Sequence, residues 1–219
     1  MKLFVFFLLW LLLPLFSFSQ ACPKVKLEDF PAADLPKRFD TAGLAEHPSY
    51  KYYYGIGMKL DYAAARAQAF VEMKVHEDQD EPFSGPSILL MLYANGYGVK
   101  KDLTLAIRLA CANVDGANAE VEGRVDHLKQ MQSGADKKAF DICDDITSGL
   151  MMGYCEGVNA ERETIKRKAV IDSVIRNWPE KDRIAYENLR NAASAFFNQL
   201  LTSEVDMSGT ARAAEEIHM

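Results

Sequence analysis

Histidine is scarce in this chain of 219 residues: His47, His76, His127 and His218 are scattered, and none sits in a zincin or comparable ligand spacing. The Gly-x-Ser-x-Gly of a nucleophile elbow, a phosphate-binding loop and a dinucleotide fingerprint are absent as well. Gly55-x-Gly57 and Gly96-x-Gly98 lack a third glycine and a preceding strand, so they predict turns. Positive charge is in deficit, 25 Lys and Arg against 31 Asp and Glu. The formal charge of −6 argues against nucleic acid or an anionic membrane surface as partner and makes a cationic partner the natural one. Thirteen glycines and eight prolines are too few for a fibrous or low-complexity chain. A hydrophobic fraction of 49% supports the buried core of one large domain or two small ones.

The longest apolar run lies at the start. Lys2 precedes Phe4 to Phe16, and the run ends in Ser17, Phe18, Ser19, Gln20 and Ala21. A charged start, an apolar core and a small-residue cleavage zone make a secretory signal over residues 1 to 21. The run is shorter than the ~20 residues needed to span a bilayer, and no later run is long enough. Export to the periplasm or beyond follows. Lipoprotein anchoring at Cys22 ranks below it, because Ser19 stands where such a signal carries Leu. Lys2 is the one charge in this segment, so the mature chain carries −7.

Export changes how the four cysteines read. Cys22, Cys111, Cys143 and Cys155 are even in number in an oxidising compartment, so disulfides are the default, with three possible pairings. In one unbroken helix, Cys143 and Cys155 would lie ~18 Å apart. A disulfide needs Cα atoms about 4.4 to 6.8 Å apart, so the pair requires a chain reversal. Thr147, Ser148 and Gly149 supply a turn and a capping hydroxyl at that point. Cys143–Cys155 is therefore the preferred pair, which leaves Cys22 with Cys111. The spacing fits no zinc finger or ribbon, and no metal site is expected. A nucleophilic Cys without a base nearby in sequence is disfavoured.

An internal repeat organises the first half. Tyr52, Gly55, Gly57, Asp61 and Ala65 recur as Tyr93, Gly96, Gly98, Asp102 and Ala106, each 41 residues on. Each unit predicts a helix closed by glycine in the left-handed conformation, then a second helix started by the Asp. Asn95-Gly96-Tyr97-Gly98-Val99-Lys100-Lys101-Asp102 followed by Ala106 resembles the Sel-one-like repeat, a relative of the tetratricopeptide repeat. The first copy has Met58 in place of Val, and the acidic stretch His76 to Pro82 lengthens the period as a loop. A third copy, around Gly116 to Leu128, lacks the glycine turn and is expected to be a closing helix. The resemblance implies an α-solenoid used for protein contacts.

Ser133-Gly134-Ala135-Asp136 is the expected boundary, with a different unit beyond it. Ile171, Val174, Ile175 and Trp178 share one helix face, Pro179 breaks the pattern, and a second stripe runs through Tyr186, Leu189, Ala193, Phe196, Phe197 and Leu200. Two such helices are expected to bury their stripes against each other. The run from Cys143 to Cys155, the long helix after it, Leu189-Arg190 and Phe196-Phe197 resemble the LprI-type lysozyme-inhibitor domain over residues 137 to 215. Glu204 to Thr210 is similar to the tail that follows in many members. Asp141, Asp144 and Asp145 imitate a carboxylate site but read as a solvated face, and the loop from His76 to Glu81 lacks the ligand order of a calcium loop.

The expected architecture is all-α, a short α-solenoid of helix-turn-helix repeats followed by a disulfide-linked antiparallel helical hairpin. Its parts are a signal at 1–21, an extended segment at 22–49, repeats at 50–132 and an LprI-like domain at 137–219. Neither catalytic residues nor a cofactor are expected. The resemblances imply an exported binding protein with a protein partner, a cationic lysozyme in the first place. The alternative is a periplasmic repeat scaffold that mediates protein contacts without inhibiting lysozyme.

Overall fold

The computed structural model describes residues 22–42, 46–75 and 82–203. The signal segment, the loop from His76 to Glu81 and the tail from Glu204 onward lie outside the described residues. Among those described the chain is all-helical: α1 (Ser49–Tyr54), α2 (Tyr62–Val75), α3 (Gly85–Asn95), α4 (Leu103–Ala112), α5 (Asn118–Ser133), α6 (Gly149–Ile175) and α7 (Glu180–Ser203), with a single 3-10 turn at Leu27–Asp29.

The two glycine turns repeat bond for bond. Gly55 (φ 68°) and Gly96 (φ 73°) close α1 and α3 in the left-handed conformation, which glycine adopts without a β-carbon clash. The next amides bond back across the turn, Ile56 to the Lys51 carbonyl at 2.9 Å and Tyr97 to the Leu92 carbonyl at 3.0 Å. Asp61 donates its amide to Tyr52 at 3.1 Å and Asp102 to Tyr93 at 3.0 Å, again 41 residues apart. Each Asp then caps the following helix. Asp61 Oδ1 accepts from the Ala63 and Ala64 amides, and Asp102 Oδ1 from Leu105 at 2.9 Å.

Helices α1 to α5 pack on one another in chain order. In the middle is α3, buried from Ser87 to Ala94 because its residues are apolar around the whole circumference. It approaches α2 closely at Gly85, where an added β-carbon would collide with the Ala69 carbonyl and lie 2.8 Å from the Met73 amide nitrogen. Both neighbours are backbone and cannot swing away. Gly85→Ala is therefore expected to lower the unfolding free energy by about 3 kcal/mol, the upper end for overpacking, as read from a urea midpoint.

Residues 22–42 form a strap across the repeats. Cys22 is bonded to Cys111 of α4, with Cα atoms 5.9 Å apart. The ring of Phe30 meets Phe70 edge-on at 4.9 Å, and Asp34 accepts from the Tyr93 hydroxyl at 2.9 Å and pairs with Arg66 at 3.2 Å. The core also runs on past Ser133–Asp136, since Phe140, Ile142, Met151, Cys155 and Val158 join the same buried cluster as the repeats.

One expectation fails. The stripes of α6 and α7 do not bury each other: Val174, Leu189 and Phe196 are 56%, 68% and 61% exposed. The last buried residue of α6 is Val158, and none of the α7 side chains described is buried. Helical spacing decides which side chains share a face, while the direction in which the chain leaves Arg176–Pro179 decides what that face meets. Here the two helices do not pack along each other, although the Trp178 and Tyr186 rings meet at their junction, 6.2 Å apart.

Candidate binding site at the braced entrance of helix α6

The segment from Phe140 to Tyr154 reverses direction and enters α6 under several independent restraints. Cys143 and Cys155 are bonded, with Cα atoms 5.8 Å apart, a separation that the turn at Thr147 to Gly149 permits. Ser148 is the N-cap, and its hydroxyl oxygen accepts from the Met151 amide at 3.2 Å. The amides of Thr147 and Ser148 donate to one carboxylate oxygen of Glu120, on α5, at 3.0 and 2.6 Å. The entrance of α6 is thus held by its own serine and by a glutamate 28 residues earlier.

Further contacts fix the turn to the repeats. Asn95 clamps the backbone of Phe140 in both directions: its amide donates to the carbonyl at 2.8 Å, and its oxygen accepts from the N–H at 2.8 Å. The Tyr54 hydroxyl donates to the carboxylate of Asp141, whose oxygen also accepts from the Cys143 amide at 3.0 Å. His127 of α5 stands between two carboxylates, with Nδ1 3.0 Å from Asp145 and Nε2 3.4 Å from Asp136. Beneath them Arg124, 2% exposed, donates to the carbonyls of Glu120 and Asp115.

These surroundings set the ionisation of the groups. Burial pushes the Glu120 carboxyl up, but the hydrogen bonds from Ser148 and Thr147 outweigh it and hold the group below its ordinary range. Burial, then the neighbouring Asp141 charge against an opposing backbone hydrogen bond, raises Asp144. Burial lowers Arg124. For Tyr54, burial and then the Asp141 carboxylate push the hydroxyl far up, so it stays a donor.

What this frame presents outward is apolar. Leu150 and Tyr154, one helical turn apart, are 64% and 43% exposed, and Met152 is 42% exposed. Met151 and Cys155 take the buried side of the same turns. Between residues 136 and 156 five carboxylates stand against two lysines, so the segment that carries the apolar prongs is net negative. A rigid, prefolded apolar corner of this kind loses little entropy when it docks, and its charge steers it toward a cationic surface.

Both expected disulfides are present, and the described residues hold no free cysteine. They are compatible with an oxidising, extracytoplasmic compartment, and no described helix is long and apolar enough to cross a membrane. Asp141 and Asp145 correct a sequence expectation. Rather than lying on a solvated face they are half-buried and hold the turn, through Tyr54 and His127, while Asp144 is exposed as expected and accepts from the Asp141 amide. Sequence reasoning missed Glu120, Arg124 and His127. Their spacing of i, i+4 and i+7 on α5, continued by Leu128 and Met131, was the available signal, since it marks one buried face.

Two other places compete for attention. Asn113 repeats the clamp of Asn95, donating to the Val25 carbonyl at 2.9 Å and accepting from its amide at 2.8 Å. Both asparagines are of the kind that could hold an extended peptide, and both hold this chain's own backbone. A cavity of about 470 Å³ lies beside the strap. Its rim mixes Lys24, Lys26 and Lys74 with Glu28 and Asp115, and so offers no single charge to a ligand.

No protein-family model, curated protein or solved structure matches this chain.

Proposed function

We propose that the protein is an exported, non-enzymatic binding protein that docks the braced entrance of α6 onto a cationic partner, and that this partner is a lysozyme inhibited in the LprI manner. The observation that carries the reading is the placement of Leu150, Met152 and Tyr154 on a turn held by a disulfide and two caps, in a segment of net negative charge. The resemblance over residues 137 to 215 and the mature charge of −7 support the same partner. The repeat-scaffold alternative has less to stand on, because the inner asparagines are already engaged with the chain itself.

The test is lysozyme turnover with and without the mature protein. Inhibition at micromolar protein is expected, with association slowed as salt shortens the range of charge attraction. Leu150→Ala with Tyr154→Ala should weaken inhibition by about tenfold or more, the cost of losing apolar anchors, while circular dichroism stays unchanged. Unchanged turnover at micromolar protein in low salt refutes the lysozyme reading.

A further inference from the structure

Helix α7 carries an apolar seam that the described residues leave largely exposed. Tyr186, Leu189, Ala193, Phe196 and Leu200 recur at steps of three, four, three and four, the spacing of a helix that packs on another helix. Phe197 widens the seam, and Leu189, Phe196 and Phe197 are 68%, 61% and 44% exposed. Residues 191 to 203 hold no charged side chain in a protein that is 26% charged. A solvated helix face is not built this way.

The seam reads the same in both directions about Ala193. Leu189 and Phe197 stand four residues to either side, and Tyr186 and Leu200 seven. An identical helix running antiparallel across a twofold axis at Ala193 would set Leu189 against Phe197 and Tyr186 against Leu200, in both halves at once. Such self-complementarity is what an isologous interface requires. The small Ala193 lets the axes approach, and Arg190 of one copy comes beside the Phe197 ring of the other, a cation–π arrangement.

The chain's own α6 is a poorer cover. Folding back through Arg176–Pro179 would bring Phe197 near Val158 and Ala193 near Arg162. Val158 is buried in the core, and the Arg162 guanidinium stands 5.4 Å from the centre of the Tyr54 ring. That stretch of α6 is already engaged where α7 is most apolar.

We infer that α7 is a homodimerisation element, in which a second copy of this chain docks its α7 antiparallel with Ala193 at the twofold axis. The inference is separate from the lysozyme reading, since the residues that would contact lysozyme lie on the entrance of α6. The seam is short, which places the dissociation constant in the micromolar range, about 1 to 100 µM.

Sedimentation equilibrium of the mature full-length chain at about 100 µM should give a weight-average mass of about 1.5 to 2 times that of the single chain, rising with concentration. Ala193→Asp, which sets two carboxylates face to face on the axis, should return the single-chain mass without loss of helix content. Ala193→Cys should form an intermolecular disulfide on mild oxidation, while Gln199→Cys, off the axis, should not. A single-chain mass at that concentration overturns the proposal. So does a dimer that Ala193→Asp leaves intact, or one in which Ala193→Cys fails to cross-link.

Discussion

Replacing Cys22 and Cys111 together by Ser should lower the unfolding free energy by about 4.5 kcal/mol, the largest loss expected from any single bond in the protein. The bridge joins residues 89 apart in sequence, and in the chain-entropy account the benefit of a cross-link grows with the loop it closes in the unfolded state. The same account assigns about 3 kcal/mol to Cys143–Cys155, which closes only 12 residues. Against a total of about 5–15 kcal/mol for an ordinary domain, the first loss alone would bring the protein near its unfolding threshold. The strap also depends on this bond locally. Without it, the clamp of Asn113 on Val25, the seat of Phe30 against Phe70 and the pairing of Asp34 with Tyr93 must hold residues 22–42 by themselves. Urea unfolding of the double variant measures the global term, and hydrogen exchange at Val25 the local one. A loss below about 1 kcal/mol would mean that the unfolded chain is already held compact in this region.

Glu120→Ala should cost about 3–5 kcal/mol, because the substitution leaves a buried guanidinium uncompensated and two half-buried amides without an acceptor. Glu120 is 2% exposed and its carboxylate accepts from the amides that open α6, so its removal leaves Thr147 and Ser148 without their acceptor. It also leaves the buried Arg124 guanidinium without the carboxylate charge that does most to offset its burial. Glu120→Gln keeps an acceptor oxygen but loses the charge, so it should fall between Ala and wild type. The pH dependence follows from the carboxyl's lowered folded-state value. A carboxyl held lower in the folded than in the unfolded state stabilises fully above the unfolded value, about 4.3 for Glu, and that stabilisation is lost as pH falls through the folded value. Stability measured from pH 6 down to about 3 should therefore decline more steeply in wild type than in Glu120→Gln. Equal slopes would show that Glu120 is not the carboxyl responsible.

The parts of the fold that sequence revealed are those in which cause and effect lie within a few residues. Gly55 and Gly96 end their helices because only glycine takes that backbone conformation freely, and Asp61 and Asp102 start the next ones through their own side chains. The partner of Cys143 was legible for the same reason, since a turn between it and Cys155 suffices to bring them together. The long-range pair then followed from what remained.

The acidic site was misread because its partners come from elsewhere in the chain. Nothing near Asp141 or Asp145 announces Tyr54, 87 residues away, or His127 on a different helix. Two helices begin on a glutamate lent by another helix, Ser49 of α1 bonded by Glu72 and Ser148 of α6 by Glu120, and no local pattern encodes that arrangement. The stripes of α6 and α7 mark the same limit. Their spacing established which side chains stand together, a property of one helix and its 3.6-residue turn. Whether those faces meet each other, the core or another molecule depends on where the rest of the chain lies, and only packing in three dimensions answers that.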